Sequence, residues 1–346
     1  MMIQELDFDD KSKKPTVKPT SLPTRLIEIT TCNHLGDAVC LTAPMLTVKT
    51  VLGESAALRY RGNYGEVFNG LGLGEWPEGA MPTDTYRVDY RSHSTPDNRA
   101  QGGNLTEGMY GSLSRHLGIK LPVSPVPELR LTKDEIDYAL STLPPSAALI
   151  NTNTQRCSTI KGYPWWAEVI RQLKKVGYTP VLTGGREERD IRGDLPRLPD
   201  GILDLRGQTT IRQMIAIVSR ARIVLSPPSS IVHIAAAFGI PTVCITGARE
   251  PTGLTAYPNT VHIHTVCTAS HLYNKSRGCM HFRMEGCERP VVIRERQYPS
   301  CMACVPAELV VETALRLSRP KRPLRTSQPP RRDEKPRQDI NPCKSP

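Results

Sequence analysis

Residues able to handle an anion and a proton recur where apolar runs give way to helical patterns. In ARIVLSPPSSIVHIAAAFGIPTVCITGAREP, residues 221–251, a strand-like run (Ile223 to Leu225) leads through Ser226, Ser229 and Ser230 into a helix over about Val232 to Phe238. A Gly-Ile-Pro break and a second strand, Thr242 to Thr246, follow. A helix start offers unpaired N–H groups and a positive dipole end, which suits an anionic group. His233 adds a side-chain donor beside those amides, or is a core histidine or cap. Asp37 follows Gly36 in a loop between a strand (Leu26 to Thr31) and a helix ending near Lys49. It is the candidate general base. As a helix cap or first-turn acid it would instead contribute about 0.3–1 kcal/mol. His34 is a second candidate base.

Lys161 stands in the K-G-Y-P element 161–164, and a lone lysine of this kind is ordinarily a solvated surface residue. The preceding loop, NTNTQRCSTI, offers Thr152, Thr154, Ser158 and Thr159 as hydroxyl donors to phosphate, and Arg156 as a charged one. Gly184 and Gly185 let backbone approach a ligand, or only form a helix-entry turn. Glu187 or Glu188 is placed to bind the ribose or base of a nucleotide, or is a solvated first-turn acid.

These segments, in this order, resemble the family 9 glycosyltransferases, the ADP-heptose:lipopolysaccharide heptosyltransferases. Residues 221–251 are similar to the family pattern S-N-D-S-G-x-x-H-L-A-A-A-x-G-x-P-T-V-x-x-F-G, with matches at Ser226, Ser229, His233, Ala235, Ala236, Ala237, Gly239, Pro241, Thr242, Val243 and Gly247. Gly36-Asp37 fall on the opening G-D, 161–164 on K-x-W-P, Gly184-Gly185 on G-G-x-x-E, and DLRGQTTIRQMIAI on D-L-x-G-x-T-S. Two positions depart: Pro228 replaces an Asp, removing a carboxylate and an N–H, and Ser230 replaces a Gly. The resemblance spans roughly Arg25 to Leu317 and is thinnest between Val51 and Pro145. It implies the GT-B architecture, two Rossmann-like domains with mostly parallel sheets facing across a cleft. It implies an inverting, metal-independent transfer of a heptose-like sugar from a nucleotide-diphosphate sugar, ADP-heptose, to a glycan or glycolipid hydroxyl. Asp37 is then the base, Lys161 the diphosphate clamp, Pro164 the first residue of the helix that follows it, and Ser229, Ser230 and His233 hold the leaving phosphate.

The elements that must position these residues alternate strand and helix, as parallel sheets covered on both faces require. Short strands are expected at Ala57 to Arg59 and Thr85 to Val88, and a long polar loop over Tyr90 to Asn104. A helix over Leu105 to Leu117 follows, then one opened by Thr132 and Glu135 at the capping-box spacing. Pro144-Pro145 marks a linker. Beyond it come a strand from Ala147 to Asn151, a helix from Trp166 to Val176 with Val169, Ile170 and Leu173 on one face, and a strand from Tyr178 to Thr183. Helices over Ile211 to Arg220 and about Ala307 to Leu317 complete the pattern. The expected division is a disordered arm over 1–24, an acceptor-side domain over 25–145, a nucleotide-sugar domain over 146–318 and a disordered basic tail over 319–346.

The chain of 346 residues carries a formal charge of +11, 31 prolines and 10 cysteines. The tail from Arg319 holds nine Lys or Arg against three Asp or Glu, a net of +6, so the rest is only mildly basic. Such a tail is a candidate electrostatic arm for an anionic membrane or other polyanion, or a solubilising segment. No run of eighteen apolar residues and no signal-peptide core are found, which points to a cytoplasmic protein, peripheral at most to the inner face of a membrane. The cysteines then read as reduced thiols or metal ligands rather than a disulfide framework. Cys279, Cys287, Cys301 and Cys304, with C-x-x-C at the last pair, are the candidate zinc set, and no cofactor is otherwise expected. The competing readings are a degenerate member that binds a nucleotide sugar or glycan without transfer, favoured by Pro228, and a nucleic-acid-binding protein acting through its basic tail. An epimerase of the same architecture is a weaker enzyme alternative.

Overall fold

The computed structural model describes residues 23–32, 34–89, 104–152, 161–185, 201–248, 250, 252–267, 273–274, 278–279, 287 and 289–318. The arm over 1–22, the segment 90–103, the tail, and the loops holding Thr154, Ser158 and Glu187 lie outside the described residues.

The first half is built on a three-stranded parallel sheet, β1 (Arg25–Thr30), β2 (Ala56–Tyr60) and β3 (Asp84–Arg87), in the order β2-β1-β3. The central strand is buried on both faces: Ile27 and Ile29 are fully buried, and Glu28 is also inside. Glu28 is tolerated there because Arg59 and Arg61 hydrogen-bond its two carboxylate oxygens at 2.8 and 2.6 Å. Burial pushes the Glu28 carboxyl up, but the two guanidinium groups outweigh it and hold it below its ordinary range. Helix α1 (Leu35–Leu52) returns from β1 to β2, and α2 (Leu105–Leu117) packs on it. Asn104 and Glu107 close a capping box at the start of α2. Thr132 and Glu135 do the same for α3 (Lys133–Thr142), as their spacing foretells.

The second half is a six-stranded, wholly parallel sheet in the order β6-β5-β4-β7-β8-β9. Its strands are β4 (Ala147–Ile150), β5 (Thr179–Leu182), β6 (Leu203–Asp204), β7 (Ile223–Ser226), β8 (Thr242–Gly247) and β9 (Thr260–His264). Side chains alternate between faces. Leu149, Val224 and Cys244 join one buried cluster, with α5 (Ile211–Arg220) and α6 (Ser230–Ala237). Ile150, Leu225 and Val243 join the other, with α4 (Trp166–Lys175) and a C-terminal helix over Ala307–Ser318. Trp166, Val169, Ile170 and Leu173 on α4 are fully buried, each contributing roughly 1.5–3 kcal/mol for an aliphatic side chain. Two antiparallel pairs were not anticipated: β10 (Tyr273–Asn274) with β11 (Gly278–Cys279), and β12 (Pro290–Ile293) with β13 (Arg296–Pro299). Short α7 (Ser300–Ala303) then leads into α8 (Ala307–Ser318).

The first buried cluster runs without a break from Ile27 and Leu41 to Val224 and Ile234, so the two halves share a core. Helix α1 packs on α6, and α3 packs on α5. Glu135 of α3 also pairs with Arg212 of α5, whose guanidinium nitrogens lie 2.7 and 2.6 Å from the carboxylate.

Three expectations are corrected here. Gly36 and Asp37 belong to the first turn of α1 rather than to a loop, because the chain turns into helix immediately after His34. Pro164 lies two residues before α4, which starts at Trp166, so it does not open that helix. By length and composition, Leu35–Ser55 is apolar enough to cross a membrane, at a mean hydropathy of 1.4, but 61% of that window is buried inside the fold. Its apolarity reflects contact with α2, α6 and the sheet on several sides.

Candidate active site at the meeting of two helix N-termini

The site forms where β1 and β7 hand over to α1 and α6. After Thr30 the chain runs through Thr31 and Cys32 to His34, the N-cap of α1, which makes no side-chain cap. Asp37 is buried, with 8% of its side chain exposed, and its Oδ2 lies 3.3 Å from His34 Nδ1. On the other side, β7 ends at Ser226 and the Pro227-Pro228 turn brings Ser229 to the N-cap of α6. The Ser226 hydroxyl donates to the Pro227 carbonyl at 2.6 Å and contacts Ser229 Oγ at 2.9 Å. Ser229 does not cap the helix with its side chain; the Val232 amide donates to the Ser229 carbonyl at 3.1 Å, and the Ser230 and Ile231 amides meet no partner among the described residues.

Gly36 allows the two helix starts to touch. A Cβ on residue 36 would stand 3.2 Å from His233 Cδ2, 3.6 Å from His233 Nε2 and 3.7 Å from Ser230 Cα. The first turns of α1 and α6 thus meet at Gly36, Ser230 and the His233 ring, while the Asp37 carboxylate, one position on, faces His34. His233 is 5% exposed and its Nδ1 is 2.6 Å from the Tyr257 hydroxyl. Burial pulls its pKa down to about 4; Glu250 draws it back up and Lys161 pushes it further down. The imidazole is therefore neutral at pH 7.

Lys161 reaches the same helix start. Its ammonium donates to the Pro228 carbonyl at 2.9 Å and lies 2.6 Å from Glu250 Oε1. Its side chain is 12% exposed, which rules out the freely solvated surface lysine. Pro228, which departs from the resembled pattern, still gives Lys161 a backbone acceptor. Gly184 and Gly185 follow the end of β5; Gly184 has a φ of 152° and its carbonyl accepts from Gly207 N at 2.9 Å. Lys161, Ser229, Ser230 and His233 thus lie about the start of α6, and Asp37 sits in the neighbouring first turn of α1 with His34 as its contact. Glu250, Tyr257 and the buried Asn151, whose side-chain oxygen faces Ser226 Oγ at 3.4 Å, were missed. Isolated residues in irregular connections carry no period or motif that singles them out.

Among the described residues no three His, Cys, Asp or Glu side chains converge as a metal site. Cys40 and Cys244 are buried thiols, both pushed up to about 12 by burial. Cys304 is disulfide-bonded, which departs from the reading of the cysteines as reduced thiols or metal ligands. Spacing along the chain does not report which sulfurs a fold brings together. A sulfur held in a disulfide is not a thiolate ligand, so Cys304 does not serve in the candidate zinc set, and the side chain of Cys279 lies outside the described residues.

Two parallel α/β sheets, covered by helices and joined through a shared core, make the GT-B architecture. The model of glycosyltransferase family 9 (heptosyltransferase) matches residues 110–283. The chain belongs to this family and is a glycosyltransferase. Its fold is similar to that of the family 9 glycosyl transferase from Veillonella parvula DSM 2008 (14% identity, TM-score 0.57, covering 87% of this chain and 99% of that one). It is also similar to TibC, described as a dodecameric iron-containing heptosyltransferase in complex with ADP-D-beta-D-heptose (18% identity, TM-score 0.60, 86% and 77%). A third likeness is to E. coli ADP-heptose lps heptosyltransferase II (15% identity, TM-score 0.55, 84% and 98%). No curated protein matches the sequence.

Proposed function

We propose that the protein transfers a heptose-like sugar from a nucleotide-diphosphate sugar, with ADP-heptose the first candidate donor, to a hydroxyl of a glycan or glycolipid. The observation that carries this reading is the approach of Gly36 on α1 to Ser230 and His233 on α6. On this reading Asp37, one position after Gly36, serves as the base beside that helix start. Asp37 takes the proton of the acceptor hydroxyl, and that oxygen forms the new bond to the anomeric carbon. The bond from that carbon to the diphosphate breaks, and the leaving oxygen takes the electron pair. The hydroxyl attacks the face opposite the departing diphosphate, with inversion of the anomeric centre, as the resemblance to the family implies. Growing charge on the diphosphate meets Lys161, the α6 amides and His233. These groups stabilise the leaving group without a metal ion, so chelators should leave turnover unchanged.

On this reading residues 25–145 hold the acceptor and residues 146–318 the donor, with Thr154, Ser158, Gly184, Gly185 and Glu187 contributing to the donor side. The reaction is assigned to the cytoplasm, where nucleotide sugars are made, and the basic tail is assigned to peripheral contact with an anionic membrane or other polyanion. The test is a calorimetric screen of ADP-, GDP- and UDP-sugars against the wild type, Lys161→Ala and His233→Ala. One nucleotide should bind, and each variant should lose roughly 1.5–3 kcal/mol, the worth of a hydrogen bond to a charged group. Unchanged affinity in both variants removes the assignment.

A further inference from the structure

Tyr257 lies where elements from both halves of the protein converge. It is 4% exposed, and it follows the short 3-10 turn Thr252–Thr255. Its hydroxyl is 2.6 Å from His233 Nδ1 on α6, 3.5 Å from Thr106 Oγ1 on α2 and 3.7 Å from Cys40 Sγ on α1. Its ring meets the imidazole edge to face, with centroids 5.6 Å apart and planes at 89°. Catalysis as described above uses none of these atoms except those of His233.

The proton in the 2.6 Å contact can be assigned from chemistry. Burial holds both partners neutral, the imidazole at about 4 and the phenol well above its usual range. An imidazole nitrogen lone pair is a better acceptor than a phenol oxygen. The Thr106 hydroxyl and the Cys40 thiol can both donate to that oxygen, which frees the phenol proton for Nδ1. The single N–H of the neutral ring is then on Nε2, the nitrogen 3.6 Å from where a side chain on Gly36 would begin.

We propose that Tyr257 is a positioning residue: it fixes His233 as the Nε2–H tautomer and aims that N–H into the α1–α6 junction. It does so from a polar cluster contributed by both halves, so the phosphate donor on α6 is held in register with Cys40 on α1 and Thr106 on α2. The ligand class this serves is a phosphate oxygen of a nucleoside diphosphate, because a fixed neutral N–H donor binds such an oxygen without needing an imidazolium. This assignment rests on the donor-site reading above, but its primary observable does not.

The experiment is long-range 1H–15N correlation on uniformly 15N-labelled protein, with His233 identified by its loss in His233→Gln. In the wild type, His233 should carry its proton on Nε2 and leave Nδ1 bare between about pH 5.5 and 8. A wild-type ring protonated on Nδ1 overturns the proposal, whatever the protein binds. Tyr257→Phe keeps the ring and removes the hydroxyl. It should show mixed tautomers, bind ADP roughly 3–10-fold more weakly, and lower kcat while leaving the acceptor KM unchanged. If Tyr257→Phe keeps both the wild-type tautomer and the wild-type ADP affinity, Tyr257 is only a packing residue. If His233→Gln leaves ADP affinity unchanged, the donor site is elsewhere, yet the Nε2–H tautomer in the wild type and its loss in Tyr257→Phe would still establish Tyr257 as what orients the ring.

Discussion

The Lys161 ammonium lies 2.6 Å from Glu250 Oε1, so in the free protein the cation beside the α6 helix start is already matched by a carboxylate. A diphosphate arriving there must displace Glu250 or bind beside it. Glu250→Gln removes the competing charge and keeps a hydrogen-bonding group. ADP should then bind about tenfold more tightly, equivalent to about 1.4 kcal/mol, in calorimetry at low salt, with the gain shrinking as salt is added. Weaker binding would mean that Glu250 chiefly orients Lys161.

Asp37→Asn preserves size and the contact to His34 but cannot accept the acceptor proton. Turnover should fall by roughly 10²–10⁴ while donor affinity is retained. Wild-type turnover would reduce Asp37 to a first-turn acid that stabilises α1.

Gly36 is helical, so a larger residue there is not excluded by backbone geometry. Alanine in place of glycine ordinarily stabilises a helix by up to about 1 kcal/mol. Here a Cβ would stand 3.2 Å from His233 Cδ2. Gly36→Val should therefore separate α1 from α6, lower the melting temperature and weaken donor binding by about tenfold or more. Unaltered donor binding in this variant would show that the helix approach does not shape the site.

Buried His233 also makes an acid-side signature. Its folded pKa of about 4 lies below the unfolded value of 6.5. The unfolded chain takes up a proton below pH 6.5 that the folded one refuses until about pH 4. Stability is thus full above 6.5 and falls as pH drops through that window, by an amount on the order of 3 kcal/mol. Urea unfolding at several pH values should show this loss, and His233→Gln should flatten that part of the profile. The Glu28 carboxyl, held low by Arg59 and Arg61, adds a further loss as pH falls through its folded pKa, which the variant should retain.

Much of the framework was legible in the chain itself. The helix over Leu105–Leu117 and the capping box at Thr132 follow from short-range rules, since cap, turn and amphipathic face lie within a few residues of one another. The buried strands of the second half read as unbroken apolar runs because parallel strands are covered on both faces. Asp37 and His233 could be singled out for the same reason: each sits at a strand-to-helix junction whose chemistry is local.

Only the tertiary structure decided what those residues meet. Nothing near Gly36 in sequence says that His233 lies against it, or that Tyr257 reaches Cys40 and Thr106 across the two halves. The partner of Lys161 proved to be Glu250, eighty-nine positions away in an irregular connection. Such contacts depend on how two sheets dock through a shared core. Docking is set by the summed shape of many apolar side chains, while the polar pairs it creates leave no periodic trace in the sequence.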